Sequence, residues 1–255
     1  MIKFFRHIRQ SMINQNRTKK YLLYAIGEII LVVIGILIAL QINNWNEERK
    51  LKQQEDTYYC KILEDLRADI NNIDSTIVSL DKRQIAAKRL LTKLLKIQED
   101  KTVILADYIS ALRSRQFFPT KAAINDITSS GKLENLKNET LKEAILDFYT
   151  NQNYALGVVD KNNDQLAPKV FQYQDYTDFG IQELPLYRSI YGEELQNLLK
   201  STEWQKDPKS YLFRNLRDHM NMTLIICERE KDLLHSVKTS AIELSQLIKP
   251  FCKTK

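Results

Sequence analysis

The sequence predicts an all-α protein. One N-terminal transmembrane helix continues into a long helix, which packs in an extracytoplasmic helical bundle with a long C-terminal helix. Glycine and proline are scarce, with 6 Gly and 5 Pro in 255 residues, which favours long helices over the many turns of a β-sandwich or barrel. One uninterrupted apolar segment lies near the N-terminus. Beyond it, apolar residues recur every three or four positions, the spacing of an amphipathic helix.

Residues 1–20 form a basic N-terminal segment. It has no acidic residue, and its basic residues are Lys3, Arg6, Arg9, Arg17, Lys19 and Lys20. The chain has 38 Lys and Arg residues, and those outside this segment equal the 32 Asp and Glu residues in number. A body with balanced charge lacks the basic surface that binds nucleic-acid phosphates, so we expect no nucleic-acid partner.

Residues 21–44 are predicted to form the transmembrane helix. Within them, Leu22–Leu40 contain a single charged residue, Glu28. At about 1.5 Å per residue, this stretch approaches the ~30 Å hydrocarbon core of a bilayer. Tyr24 and Trp45 stand near its two ends, as aromatic residues do at the headgroup region. The lipid bilayer is therefore the first predicted partner.

The distribution of Lys and Arg residues around this segment predicts its orientation. Six precede it, whereas the basic residues that follow it are interleaved with acidic ones. The positive-inside rule therefore places residues 1–20 in the cytoplasm and residues 45–255 outside it. A cleaved signal peptide is the alternative, but the apolar stretch is long for one and no clear A-x-A cleavage site follows. We therefore expect an uncleaved, single-pass signal anchor.

Two stretches of the sequence resemble an uncharacterised bacterial family of single-span membrane proteins, which is defined as a domain of unknown function. The N-terminal stretch is KKYLLYAIGEIILVVIGILIALQINNWNEERK, behind the opening MIKFFRHIRQ. The second, ITSSGKLENLKNETLKEAILDFY at 127–149, resembles the family's middle region. The resemblance implies a membrane-anchored helical protein and no activity. With the orientation given by the positive-inside rule, the expected location is the bacterial inner membrane, with the C-terminal domain periplasmic or otherwise extracytoplasmic.

Glu28, Gly35 and Ala39 form a candidate helix–helix contact within the predicted span. Gly35 follows Glu28 by seven residues and Ala39 follows by four more, so all three share one helix face. Small residues let another helix approach closely, and a carboxyl group can hydrogen-bond across the contact. The expected partner is a second copy, giving a homo-oligomer, or another membrane protein. The alternative is that Glu28 reaches the cytoplasmic interface or is protonated.

Two long helices are predicted within residues 45–255. No Pro or Gly occurs from Asn43 to Thr102, and the apolar pattern there fits a seam within one chain or a coiled coil between copies. The second long helix is predicted to begin with Asp207 as N-cap and Pro208 in the first turn, and to end at Pro250. The first seam contains Tyr59, Ile62, Leu66, Ile70, Ile73, Ile77 and Leu80, with a polar interruption at Gln84.

Shorter segments are predicted between the two long helices. Gly131 is expected to stop one short helix, and Asn138 is expected to cap the next. The predicted segments are helices over 102–115, 120–130 and 193–201, and a loop over 164–192 that contains Pro168, Gly180 and Pro185.

The chain contains three cysteines. If the two long helices pack antiparallel, Cys60 and Cys252 are neighbours, and a disulfide between them is possible in an oxidising compartment. Cys227 lies on the apolar face of its helix and is expected to be a buried small residue. No set of Cys and His residues has the spacing of metal ligands, so we expect no metal and no cofactor.

No residue constellation predicts catalysis. Glu228, Asp232 and His235 share one face of the last helix, but a carboxylate-bridged metal site needs a second such set, so an exposed polar face explains them better. A run of aromatic residues could form a recognition surface or pack over the bundle. Its members are Phe171, Tyr173, Tyr176, Phe179, Tyr187 and Tyr191.

The predicted function is that of a membrane-anchored, non-enzymatic interaction or scaffold protein. It would act through its transmembrane helix and its helical extracytoplasmic domain. The alternative is a ligand-sensing domain that signals laterally through a membrane partner, because only about 20 residues are predicted to be cytoplasmic.

Overall fold

A computed structural model describes residues 18–97, 100–113, 115–171 and 176–252 of the chain. These residues form seven α-helices and several short 3-10 turns, with no β-strand among them, so the predicted all-α class is confirmed. The chain divides into two units, Met1–Asp56 and Thr57–Lys255. The helices are α1 (Thr18–Leu95), α2 (Lys101–Leu112), α3 (Ala122–Ser129), α4 (Glu139–Phe171), α5 (Tyr176–Phe179), α6 (Pro185–Leu198) and α7 (Tyr211–Ile248).

The first unit, as far as it is described, is the N-terminal part of α1. Its large apolar side chains from Leu22 to Ile42 are exposed. Among the described helices, α1 is the one that is long and apolar enough to cross a membrane, and its apolar part lies near the N-terminus. A signal sequence passes the same test of length and composition, so these properties fit either a membrane span or a signal sequence.

In the second unit, α1 and α7 pack antiparallel in a constant register. Moving from residue 60 to 74 to 81 along α1 moves the partner from residue 252, just after α7, to 238 and 231 on α7. These steps are whole heptads, so the contacts recur on one side of each helix. The contacts are the Cys60–Cys252 disulfide and the ion pairs Asp74–Lys238 (2.5 Å) and Asp81–Lys231 (3.0 Å).

The buried face of α1 follows an unbroken heptad pattern from Tyr59 to Leu94. Ile70 and Ile77 of the predicted seam are partly buried and pack against the core clusters, but they lie beside the most deeply buried line of positions. Continuing the alternation of three and four residues replaces them with polar residues, each seven from the next. The positions of this pattern, all of them buried, are Tyr59, Ile62, Leu66, Asp69, Ile73, Thr76, Leu80, Arg83, Ala87, Leu90 and Leu94.

The core of the second unit consists of three apolar clusters that succeed one another along α1 and α7. The first joins these helices to α3 and α4, and includes Ile62 and Ala241. The middle cluster adds Phe117 and one residue of α4. The last joins α1 and α7 to α2 and to the segment between Phe179 and Trp204. Burial of this apolar surface supplies the main driving force for folding.

The predicted helix signals near residue 135 are confirmed. Asn138 caps α4, because its side-chain oxygen accepts a hydrogen bond from the Leu141 N–H at 3.1 Å. Gly131 follows the end of α3 with a φ of 68°, a left-handed conformation that glycine adopts without strain. Both signals are local, which is why the sequence reveals them.

The predicted loop over 164–192 is wrong for most of its length. Helix α4 continues past Pro168 to Phe171, while α5 and the first part of α6 occupy most of residues 176–192; residues 172–175 lie outside the described part. Pro185 begins α6 because a proline at the first helical position loses no hydrogen bond. Gly180, with a φ of 89°, makes the turn before the short 3-10 helix.

The predicted N-cap of α7 is also wrong. Asp207 accepts a hydrogen bond from the Lys209 N–H at 2.8 Å, which closes a turn before the helix. Ser210 is the cap, since its hydroxyl accepts from the Phe213 N–H at 3.1 Å. Aspartate and serine both bond nearby N–H groups in this way, so the sequence alone favours neither.

Candidate functional site

Glu28, Gly35 and Ala39 lie on one face of α1. At about 100° per residue, Gly35 is about 20° to one side of Glu28, and Ala39 is about 20° to the other. All three residues are exposed. Within the described part of the chain, a Cβ added to Gly35 would meet no atom within 4 Å. The surface at Gly35 is therefore uncovered within the described part of the chain.

Trp45 and Arg49 mark the C-terminal end of the apolar stretch. The Arg49 guanidinium lies 5.7 Å from the centre of the Trp45 ring and donates a hydrogen bond to the Asn46 side chain at 3.1 Å. Lys50 pairs with Glu47 one turn away. A tryptophan with basic neighbours at the end of an apolar helix is typical of residues at lipid headgroups.

The structure brings Cys60 and Cys252 together. They form a disulfide with a Cα–Cα distance of 4.7 Å, across a sequence separation of 192 residues. The neighbouring rings of Tyr59 and Phe251 have centroids 5.9 Å apart, so aromatic packing accompanies the bond. The disulfide therefore joins the first turns of α1 in the second unit to the residues that follow α7.

Cys227 is a free, buried cysteine. Burial raises the pKa of its thiol, and a thiol that stays protonated is a poor nucleophile and a poor metal ligand. Its environment is therefore that of a core residue rather than of a reactive centre.

Glu228, Asp232 and His235 do not form a metal site. All three are exposed on α7. Glu228 accepts a hydrogen bond from Gln84 at 2.9 Å and pairs with Lys231 at 2.9 Å, and these contacts lower the pKa of its carboxyl. No group of three or more His, Cys, Asp or Glu side chains within the described ranges could hold a metal ion.

The aromatic residues between 171 and 191 do not form one surface. Phe179 is fully buried, where it stacks on Trp204 with ring centroids 5.2 Å apart and meets Tyr108 edge-on. Tyr187 packs against the same cluster, whereas Tyr176 and Tyr191 are exposed. The Phe171 side chain and all of Tyr173 lie outside the described residues.

A buried lysine, which the sequence did not suggest, holds the segment after α5 against the start of α2. Lys101 is 5% exposed. Its ammonium group donates to the Ser201 hydroxyl and to the Thr202 carbonyl at 3.0 Å, and it pairs with Glu183 at 3.3 Å. Ser201 in turn donates to Glu183. Lys101 precedes Ile104 by three residues, so its position on the apolar face of α2 was the available signal.

A lysine beside a serine hydroxyl could in principle activate that hydroxyl as a nucleophile, which requires a neutral amine. Here the amine has acceptors for all three of its N–H groups, one of them a carboxylate. All three N–H groups are therefore engaged in contacts that hold the segment after α5 against α2. The cluster around Lys101 therefore has the chemistry of a structural contact.

Comparison with known proteins gives a family but no activity. A family described as a family of unknown function (DUF6090) matches residues 28–175. The matched range begins at Glu28, includes Gly35, Ala39 and Cys60, and ends before α5. No curated protein and no solved structure matches the chain.

Proposed function

The chain belongs to the DUF6090 family of unknown function, and because no activity comes with the family, we propose from its own residues that it is a membrane-anchored, non-enzymatic interaction or scaffold protein. The exposed apolar surface of α1 carries this proposal. From Leu22 to Ile42 its large apolar side chains are 46–72% exposed. A continuous apolar surface of this kind is unfavourable in water and favourable in lipid.

We infer that α1 crosses a bacterial inner membrane with residues 1–20 in the cytoplasm and residues 45–255 in the periplasm. The excess of Lys and Arg residues before the apolar stretch supports this orientation. The Cys60–Cys252 disulfide supports it independently, because disulfides persist in oxidising compartments and are rare in the cytosol.

We propose that the face formed by Glu28, Gly35 and Ala39 contacts another transmembrane helix. Glycine and alanine spaced four residues apart allow two backbones to approach closely, and a nearby carboxyl group adds a hydrogen bond that is favourable in lipid. The partner is a second copy of this chain or a different membrane protein.

The polar groups of the second unit support a non-enzymatic role. Lys101 and Glu228 are engaged in hydrogen bonds and ion pairs with neighbouring side chains. The raised pKa of the Cys227 thiol disfavours the reactive thiolate. These groups stabilise contacts between helices, and each would have to break them to act on a substrate.

Photocrosslinking in native membranes tests the proposed helix contact. A photoreactive residue at Ala39 should give a discrete adduct with a second copy or with one membrane protein. The same residue at Leu37 is the matched control, because Leu37 is two positions from both Gly35 and Ala39 and therefore lies on the opposite side of α1.

An adduct at Ala39 that is absent at Leu37 would support the contact, and its mass would identify the partner. Adducts with lipid alone at both positions would show that no helix packs on this face. Equal protein adducts at both positions would also contradict a contact specific to this face.

A further inference from the structure

Four side chains that carry oxygen atoms lie on one turn of α1 and on the turn of α4 that contacts it. The residues are Asp65 and Asp69 on α1, and Tyr149 and Gln152 on α4. Asp69 and Gln152 are each 1% exposed, and Tyr149 is 5% exposed. The Gln152 amide donates a hydrogen bond to Asp69 at 3.1 Å, so the two turns are in direct contact.

The two carboxylates are held in place by neutral donors. Asp69 accepts from the Thr120 N–H at 2.7 Å, and Asp65 accepts from the Ala123 N–H at 2.8 Å at the start of α3. Amide donors orient a carboxylate but leave its negative charge in place. Neither carboxylate forms an ion pair with any residue that the structure describes.

Two further oxygens in this cluster are buried without a hydrogen-bond partner among the described residues. They are the Tyr149 hydroxyl and the side-chain carbonyl oxygen of Gln152. Burial, followed by the charges of Asp65 and Asp69, raises the pKa of Tyr149. Tyr149 and Gln152 lie one turn apart on α4, as Asp65 and Asp69 do on α1. Buried polar atoms in native proteins normally have a hydrogen-bond or metal partner, so we expect a partner for these two oxygen atoms.

We propose that this cluster, hereafter the α1–α4 oxygen site, binds one hard cation, for which Ca²⁺ is the first probe. A cation would neutralise the two carboxylates and give the Gln152 oxygen a partner, with the Tyr149 hydroxyl beside it. Hard cations select carboxylate, carbonyl and hydroxyl oxygens, whereas softer metals select the imidazole and thiolate ligands that these four residues lack.

A bridging water molecule would satisfy fewer of these four side chains than a cation would. It could bond both the Tyr149 hydroxyl and the Gln152 oxygen. It would leave the buried carboxylate of Asp69 and the half-buried one of Asp65 with no compensating charge. The occupied site would fasten α3, through Asp65 and Ala123, to the pair formed by α1 and α4. This inference is independent of the proposed membrane anchoring.

Thermal unfolding of the full chain in detergent tests the α1–α4 oxygen site. The protein is treated with EDTA, desalted, and titrated with CaCl₂, MgCl₂ or NaCl at constant ionic strength. We expect Tm to rise with the logarithm of the cation concentration above Kd, by about 5–10 °C at a hundredfold excess over Kd. Calorimetric titration of the same sample should give one bound cation per chain.

Two variants examine the ligands without removing their packing. Asp65→Asn keeps an oxygen for the Ala123 N–H and loses the charge, and Tyr149→Phe keeps the ring. Each should weaken cation binding by about tenfold or more. Asp126→Asn is the matched control, because Asp126 is an exposed carboxylate that pairs with Lys61 at 3.7 Å, and it should bind as the wild type does.

A rise in Tm together with one calorimetrically bound cation per chain, both removed by Asp65→Asn and retained by Asp126→Asn, would support the site. A response to Mg²⁺ or Na⁺ in place of Ca²⁺ would also support it and would change only the ion. A flat response to all three salts, or the same affinity in both Asn variants, would overturn the proposal.

Discussion

Besides Asp69, four charged residues of the second unit are buried, and each has polar contacts with its neighbours. Arg83, Lys101, Asp107 and Glu230 are at most 6% exposed. Asp107 accepts from Arg89 and Lys93 at 2.7 Å each, and the Arg83 guanidinium donates to a carbonyl of α2 at 2.8 Å. Buried charges persist only with such partners, because removing one of the two groups leaves the other without compensation.

We expect the titration of Glu230 to make the free energy of unfolding depend on pH in the mildly acidic range. Burial raises the pKa of its carboxyl above the ordinary 4.5, against smaller opposing effects of Asn163 and Arg83; Asp160 adds to the rise. Between 4.5 and the raised pKa, the folded state holds a proton that the unfolded state has released. The free energy of unfolding should therefore increase as pH falls through this window, and decrease as pH rises.

Glu230→Gln removes that titration and should flatten the pH dependence, as measured by the Tm from pH 4.5 to 8. Glu228→Gln is the matched control on the same helix. Contacts with Gln84 and Lys231 lower the pKa of Glu228, so its contribution has the opposite sign and is lost as pH falls. An unchanged pH dependence in Glu230→Gln would contradict the assignment.

The buried charges were the hardest features to predict from the sequence. Lys101 contacts Glu183 and Ser201, which are far from it in the chain. No local sequence pattern therefore predicts these contacts. A strict heptad repeat predicts that Asp69 is a buried position. The adjacent Ile70 is more apolar, so the sequence favours Ile70 as the buried residue instead. In contrast, Glu28, Gly35 and Ala39 are related by helix periodicity alone, which is readable without any tertiary contact.

At the scale of elements, the segment from α5 to the start of α7 is held in place by hydrogen bonds around the tight turn at Gly180. The Gln182 amide donates to the Thr177 and Leu199 carbonyls at 2.8 and 3.1 Å, and the Trp204 ring donates to the Phe179 carbonyl at 3.0 Å. Short helices with these cross-connections replace the loop expected from the prolines and glycines. Those residues indicate where helices begin and turn, but not whether helices lie between them.

Gly180→Ala should destabilise this segment more than an equivalent change elsewhere. Gly180 has a φ of 89°, and a Cβ there would lie 3.0 Å from both the Lys101 Cε and the Ser201 hydroxyl. We expect a loss of about 2–4 kcal/mol in the free energy of unfolding, from left-handed strain plus overlap.

Gly131→Ala is the matched control for this change. Gly131 has a φ of 68°, but an added Cβ meets nothing within 4 Å in the described part, so only the strain remains, about 1 kcal/mol. Chemical denaturation of both variants measures the difference. Equal losses would show that the contacts of Lys101 and Ser201 yield to the added methyl group.

At the scale of the whole molecule, the antiparallel packing of α1 and α7 provides the frame against which the shorter helices of the second unit pack. Matching helix lengths in the sequence favour that arrangement, since both long helices contain about forty residues of apolar repeat. The placement of α2, α3 and α4 between them depends on particular contacts, such as the Asp65 carboxylate at the start of α3. The sequence could therefore predict the frame of the bundle, but not how its shorter helices fill it.

Cys252→Ser should lower the free energy of unfolding by about 3–5 kcal/mol. In the chain-entropy account, a bond that closes a loop of this length strongly restricts the unfolded chain, and here the separation is 192 residues. Reductant should destabilise the wild type by a similar amount and leave Cys252→Ser unchanged. Denaturation of the full chain in detergent measures both effects.

Cys227→Ala is the control for the effect of reductant. Its buried thiol is free, so this variant should retain the wild-type response to reductant. A wild type that unfolds identically with and without reductant would show that the Cys60–Cys252 bond does not contribute to stability.

The same bond determines how the second unit would bear a mechanical load. The chain enters this unit at Thr57, three residues before Cys60, and the disulfide returns it covalently to Cys252. Tension applied between the entering chain and the residues after Cys252 therefore passes through the sulfur atoms and bypasses residues 61–251. With the disulfide intact, the second unit would transmit such a force without unfolding. With the disulfide reduced, only the packing of its helices would resist the force.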